Sequence, residues 1–376
     1  MLRESGAHAA GQLASVCWRH RERTAEQRRM RRCTGTEILT GRWVLVNGTI
    51  APYRTEDAEP SAYLTKYARL PDHTSAASWY GASPWNYHWQ PSTRCRFDQF
   101  DLRSFCTALD DSSMTFVGDS VIFQAYRSLA LLAGAERTHF EAGRSNYGRV
   151  SLNVCAGRSS AITFVRVNEW PSPTKNPVGH ALLRQLANGS GGGGRNAVIV
   201  WSVSAVHAIR NNWTDAQYSQ VVRHWSSIFR GPMIRASWYQ VSIPGASGCG
   251  CSTSPLEETW APGCEQPSAS KYCQQWSKIP VLNQVAKIAL GDQHLQVIDV
   301  EDAFALRPDA RRGSACELLA MRAARDSCTD HTAKACSGRS TTEFVCRETD
   351  CYHLHMPGAV DLLPRIYLQN LINQLQ

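Results

Sequence analysis

From residue 114 onward, short apolar runs alternate with longer stretches whose apolar positions recur every three or four residues. The runs "MTFV" (114–117), "AITFVRV" (161–167), "NAVIVWSVS" (196–204), "MIRASWYQVSI" (233–243) and "LQVIDV" (295–300) predict strands. Residues 121–133, 215–229, 279–290 and 359–375 carry helical spacing, the last with a proline near its start. Apolar strands alternating with helices of this length imply a mostly parallel sheet of about five strands, covered on both faces. The fold class read from the pattern is therefore three-layer α/β.

The rhythm is absent elsewhere. Residues 1–32 read as a basic, disordered arm, and residues 33–113 as a Trp/Tyr-rich minor lobe around a main domain spanning 114–376. The stretch "SWYGASPWNYHWQP" (78–91) holds three Trp and two Tyr without helical or strand spacing. Such rings either pack the lobe against the main domain or offer a stacking face to sugars. Segments 244–275 and 307–350, rich in Cys and small polar residues, read as long loops stapled by disulfides.

Charge narrows the function classes. The net charge is +8, but residues 1–33 contribute eight Arg against three Glu, or +5, leaving about +3 for the rest. No basic-aromatic stripe recurs downstream, so nucleic acid is set aside as a partner. No run approaches the ~20 apolar residues of a membrane span. The 14 cysteines are dispersed, nine of them after residue 240. With the sequons Asn47-Gly-Thr49, Asn188-Gly-Ser190 and Asn212-Trp-Thr214, they point to an oxidising, lumenal or extracellular setting. Residues 1–30 contain no apolar stretch of the signal-peptide type, so the expectation is that a targeting or anchor segment is missing from this chain, or that entry is unconventional.

The candidate chemistry starts at "TFVGDSVIFQ" (115–124). Gly118-Asp119-Ser120 ends the first predicted strand and opens a helix. A serine there sits at the carboxyl edge of a parallel sheet, where ligands bind, beside the free N–H groups of a helix start. It can attack an acyl carbon while those donors hold an oxyanion. It can equally serve as a helix cap. A nucleophile needs a base, and "TDCYHLHMPGAVD" (349–361) offers Asp350 and His353 three residues apart, with His355 as a rival. In a turn, the Asp350 carboxylate can orient His353 while the other ring nitrogen faces Ser120.

Together these ends resemble the SGNH/GDSL hydrolase superfamily. More narrowly, the chain resembles the plant trichome-birefringence-like (PC-esterase) proteins, polysaccharide O-acetyltransferases. The resemblance spans roughly 33–376 and rests on ordered motifs. These are Cys33 with Gly41-Arg42-Trp43-Val44; Tyr87, Trp89, Pro91, Cys95, Phe97 and Asp98; and Phe116–Ser120 with Gln124, Ser128 and Leu129. They continue with Trp260, Gly263 and Cys264; Arg307 and Asp309; and Asp350, Cys351, His353, Met356-Pro357-Gly358 and Asp361. It implies a flavodoxin-like SGNH sheet, a triad of Ser120, His353 and Asp350, an acetyl donor such as acetyl-CoA used as substrate, and a polysaccharide or oligosaccharide acceptor in the Golgi lumen or outside the cell. An esterase with the same triad and a non-catalytic glycan-binding protein on the same fold are the alternatives.

The departures are local. Ser202 stands about where the family has an oxyanion-binding Asn and Ser204 where it has a Gly, with His207 slightly late. Leu354 replaces a Trp, and Arg311 a His. Gly148, Ser202 and Ser204 are the oxyanion candidates; Asp119, Arg166, His207 and His355 are the substrate-binding candidates. Cys249-x-Cys251 with Cys264 and Cys273 fits no paired Cys-x-x-Cys spacing, so disulfides are expected rather than a metal, and no cofactor is expected to be bound. A disulfide through Cys346 or Cys351 is expected to tether the loop bearing His353.

Overall fold

The computed structural model describes residues 30–46, 52, 87–135, 147–156, 160–170, 174–189, 196–243, 278–291, 295–306, 354, 356 and 359–375. Among the described residues the main sheet has six strands, against the expected parallel sheet of about five. They are β3 (Met114–Gly118), β4 (Arg149–Asn153), β5 (Ala161–Arg166), β6 (Ala197–Trp201), β7 (Ile234–Gln240) and β8 (Gln296–Ile298), in the order β4-β5-β3-β6-β7-β8. All five apolar runs of the sequence are strands, and they pair in parallel. The sixth, β4, is an antiparallel edge strand on β5. Its sequence, "RVSLN", alternates exposed and covered residues, as a strand with one wet face does.

The chain runs from β3 outward to β5, then returns past β3 to β6 and continues to β7 and β8. The direction therefore reverses between β3 and β6, and the carboxyl ends of those two strands flank the crevice where α/β sheets bind ligands. Every residue of β3 and of β6 is buried, which explains their unbroken apolar runs.

Side chains partition between the two faces by the period of two. On one face, Phe116 meets Tyr126 of α3 (Ser120–Leu132) at 5.9 Å and Tyr367 of α9 (Leu362–Asn373) at 5.5 Å, and Trp238 stacks on Tyr367. On the other, Trp201 meets Tyr239 at 4.8 Å and Phe229, at the end of α6 (Asp215–Ile228), at 5.4 Å. Helices thus cover both faces. Further helices are α1 (Gly35–Leu39), α2 (Leu102–Leu109), α4 (Pro177–Ala187), α5 (Ala205–Arg210), α7 (Lys278–Gly291) and α8 (Glu301–Ala305).

Residues 33–113 are more regular than their composition implied. Strands β1 (Gly41–Leu45) and β2 (Tyr87–Pro91) form an antiparallel pair. Trp89 is buried and its indole N–H donates to Ile38 O, while that of Trp43 donates to Ala303 O. Where described, then, the aromatics of this segment pack inward. Arg365 of α9 donates to the carbonyls of Phe97 and Asp98 and lies over the Phe97 ring. Two disulfides, Cys33–Cys95 and Cys106–Cys155, close loops with sequence separations of 62 and 49. On a chain-entropy account each is worth about 4 kcal/mol. The long Cys-rich segments, with Cys346 and Cys351, lie outside the described residues.

The end of β3 depends on a missing side chain. A Cβ on Gly118 would stand 2.7 Å from Ile122 Cγ1, 3.0 Å from Ile122 Cβ and 3.4 Å from Ser202 O. The bare backbone is what lets the first turn of α3 fold back onto the strand. Gly118→Ala is expected to cost roughly 1–3 kcal/mol through overpacking and to shift α3 off the sheet. Urea unfolding that matches the wild type would contradict this.

Candidate active site

Ser120 is the first helical residue of α3, directly beyond the carboxyl end of β3, and is half-buried at the crevice between β3 and β6. The helix cap is not Ser120 but Asp119. Its buried carboxylate accepts from Val121 N at 2.9 Å and Ile122 N at 3.4 Å. An acidic cap also suits the positive end of the helix. The cap of α3 is thus Asp119 rather than Ser120, and the same carboxylate remains a substrate-binding candidate at this edge.

The turn after β6 lies across the crevice. Ser202 N donates to Val117 O at 3.1 Å, and the Tyr218 hydroxyl, buried in α6, donates to Val203 O at 2.7 Å. Ala205 N donates to Ser242 Oγ at 2.9 Å. Ser202 and Ser204 are thereby fixed on a backbone anchored at three points, and both are buried. Ser204 is the N-cap of α5, its hydroxyl accepting from His207 N at 3.4 Å. An accepting hydroxyl keeps its own proton for donation.

His207 and Arg166 also belong to this edge. The His207 imidazole feels Asp119, Glu169, Arg166 and Arg210; desolvation by burial is the largest influence and holds its pKa below the ordinary value. Arg166 ends β5, with its guanidinium 5.3 Å above Phe123 in the first turn of α3 and 5.8 Å from Phe164. Gly148 is placed differently. Its carbonyl accepts from Arg166 N at the head of β4, so β5 stands between it and β3, a lateral separation of about 10 Å.

Asp350, His353 and His355 lie outside the described residues, but the chain neighbour of His353 does not. The buried Gln124 amide holds Leu354 at two points: Nε2 donates to Leu354 O at 2.7 Å, and Leu354 N donates to Oε1 at 3.1 Å. Four residues further along α3, Ser128 Oγ donates to Asp361 Oδ1 at 2.5 Å. Ser120, Gln124 and Ser128 follow one another at i, i+4 and i+8 on the same helix face. Two positions of that face hold Leu354 and Asp361. Gln124, Ser128 and Asp361 all belong to the ordered motifs, but their contacts span 230 and 233 positions and carry no local signal.

His180 and His224, like His207, are held below the ordinary pKa of His, in each case chiefly by desolvation. The unfolded chain therefore binds more protons than the fold between the lowered values and about 6.5. Stability rises with pH across that window and is lost as pH falls through it. The thermal midpoint is expected to be higher at pH 7.5 than at pH 5.5; equal midpoints would overturn the assignment.

Two disulfides fit an oxidising, secretory or extracellular setting. Among the described residues, no helix is long and apolar enough to cross a membrane. Comparison of the chain with models of known protein families finds no match, and comparison with curated proteins finds none.

Proposed function

We propose that the chain is a serine-dependent O-acyltransferase of the SGNH type that moves an acetyl group onto a glycan hydroxyl. The observation that carries this reading is the two-point grip of Gln124 on Leu354. It joins the helix opened by Ser120 to the residue that follows His353. Two further features support the reading. The parallel strands, numbered in chain order, run 2-1-3-4-5, the flavodoxin-like arrangement, with Ser120 at the reversal point. The ordered motifs at both ends of the chain supply "acetyl" and "polysaccharide".

In the mechanism, His353 takes the proton of Ser120 Oγ as that oxygen attacks the acyl carbonyl. The N–H of Ser120 and the hydroxyl of Ser202 or Ser204 hold the tetrahedral oxyanion. Collapse expels the donor's leaving group, which takes the proton from His353, and leaves acetyl-Ser120. A sugar hydroxyl then gives its proton to His353 and attacks the ester; Ser120 departs and recovers that proton. Asp350 orients His353 and steadies its imidazolium.

The test is mass spectrometry of protein and glycan after incubation with an acetyl donor, with and without an oligosaccharide acceptor. Acetyl-Ser120 and acceptor-dependent product are expected. Acetate released equally without acceptor would make the chain an esterase. No acyl-enzyme and no product, while the glycan still binds, would make it a binding protein.

A further inference from the structure

His180 of α4 and His224 of α6 meet between the two helices. Their Nε2 atoms are 3.2 Å apart, and each ring centroid lies 5.3 Å from the centroid of the buried Trp225 ring. His180 is buried, whereas His224 is exposed, so the pair opens to solvent on one side. With nothing bound, one Nε2–H donates to the other Nε2.

The same spacing has a second use. Two imidazole nitrogens ~2.05 Å from a zinc ion and 3.2 Å apart subtend about 103° at the metal, near the tetrahedral angle. The ring centroids are 5.4 Å apart, so the two Nε2 atoms now face one another nearly head-on, as the N–H···N bond requires. Turning both rings, so that each nitrogen's axis swings roughly 40° off the N–N line, makes them converge on an ion beside it.

We propose that His180 and His224 form a two-histidine site for a divalent transition ion of the zinc class, tying α4 to α6. Both rings are neutral at pH 7.5: burial is the largest influence holding each below the ordinary value, followed for His180 by His224 and then Arg184, and for His224 by Arg184. The donor ring moves its proton from Nε2 to Nδ1 as the ion enters, so binding releases no net proton. Among the described residues, no third His, Cys, Asp or Glu converges there. Water completes the coordination and the ion exchanges readily. Arg184, one turn beyond His180 on α4, opposes the ion and limits its affinity.

The experiment is calorimetric titration of the disulfide-intact full chain with zinc chloride at pH 7.5, alongside His224→Gln, His180→Gln and Arg184→Gln. The wild type is expected to bind one more zinc equivalent than either histidine variant. Its thermal midpoint is expected to rise with zinc, by more than that of His224→Gln, and to ignore magnesium. Arg184→Gln is expected to bind this equivalent several-fold more tightly. His224 is exposed, so its variant folds and keeps the comparison valid. Equal zinc stoichiometry in wild type and folded His224→Gln would overturn the site, as would an equal response to magnesium.

Discussion

Ser120→Ala is expected to abolish labelling by a serine-directed fluorophosphonate and to reduce acyl transfer by roughly 10⁶-fold, the loss seen when a serine nucleophile is removed from a working triad. The fold should barely notice. Capping of α3 is the work of Asp119, which accepts from Val121 and Ile122. Ser120→Ala should therefore change unfolding free energy by no more than about 0.5 kcal/mol, while Asp119→Ala should cost about 1 kcal/mol. The two variants separate chemistry from scaffolding at adjacent positions. Retained turnover in Ser120→Ala would end the acyl-enzyme mechanism. A wild type that resists labelling while binding glycans would move the protein into the non-catalytic class.

The central sheet was legible because its parallel strands are buried on both faces. β3 and β6 have no exposed residue, so their apolar runs stand out from the surrounding chain. The edge strand β4 was not legible, since five residues with alternate ones wet look like any loop. Helix α4 was not among the predicted helices, and its first turn holds Pro177 and Gly179, residue types that break helices elsewhere. Pro177 is in fact tolerated at the first helical position, and Gly179 N donates to the capping Asn176 side chain. The β1–β2 pairing joins segments more than 40 residues apart, and the aromatic stretch that contributes β2 shows no period. Neither disulfide was deducible, because 14 cysteines allow too many pairings.

The candidate site divides along the same line. The position of Ser120 followed from a strand, a turn and a helix in immediate succession, all local. Which residue capped that helix did not, because Asp119 and Ser120 are both good caps and only the backbone decides between them. Ser202 and Ser204 were noticed as replacements, but the anchoring of their turn by Tyr218 and Ser242 comes from packing across β6 and β7. The His180–His224 contact joins two helices across 44 positions and leaves no trace in either helix's own sequence.

Gln124→Met is expected to damage activity more than any substitution outside the triad. Methionine nearly matches glutamine in length and volume, so the helix keeps its packing. Both hydrogen bonds to Leu354 disappear, leaving a buried N–H and a buried C=O to find other partners. Each orphaned group costs about 1–3 kcal/mol unless the segment moves. The cheaper response is for residues around 354 to leave α3, taking the chain neighbour His353 with them. A displacement of about 1 Å at a catalytic group costs on the order of 10²-fold in rate. The loss should fall on kcat, because the acceptor's own contacts are untouched. Gln124→Glu is the informative companion: it keeps an acceptor for Leu354 N but has no donor for Leu354 O, so it should land between wild type and Gln124→Met. Ser128→Ala removes the neighbouring contact to Asp361 without touching Leu354, and should leave the rate closer to wild type. Amide exchange at Leu354 reads the same grip without any assay of activity: protection is expected in the wild type, and its loss in Gln124→Met. Lost protection with unchanged labelling of Ser120 would mean that Gln124 holds Leu354 for stability alone, and that the base acting on Ser120 comes from elsewhere.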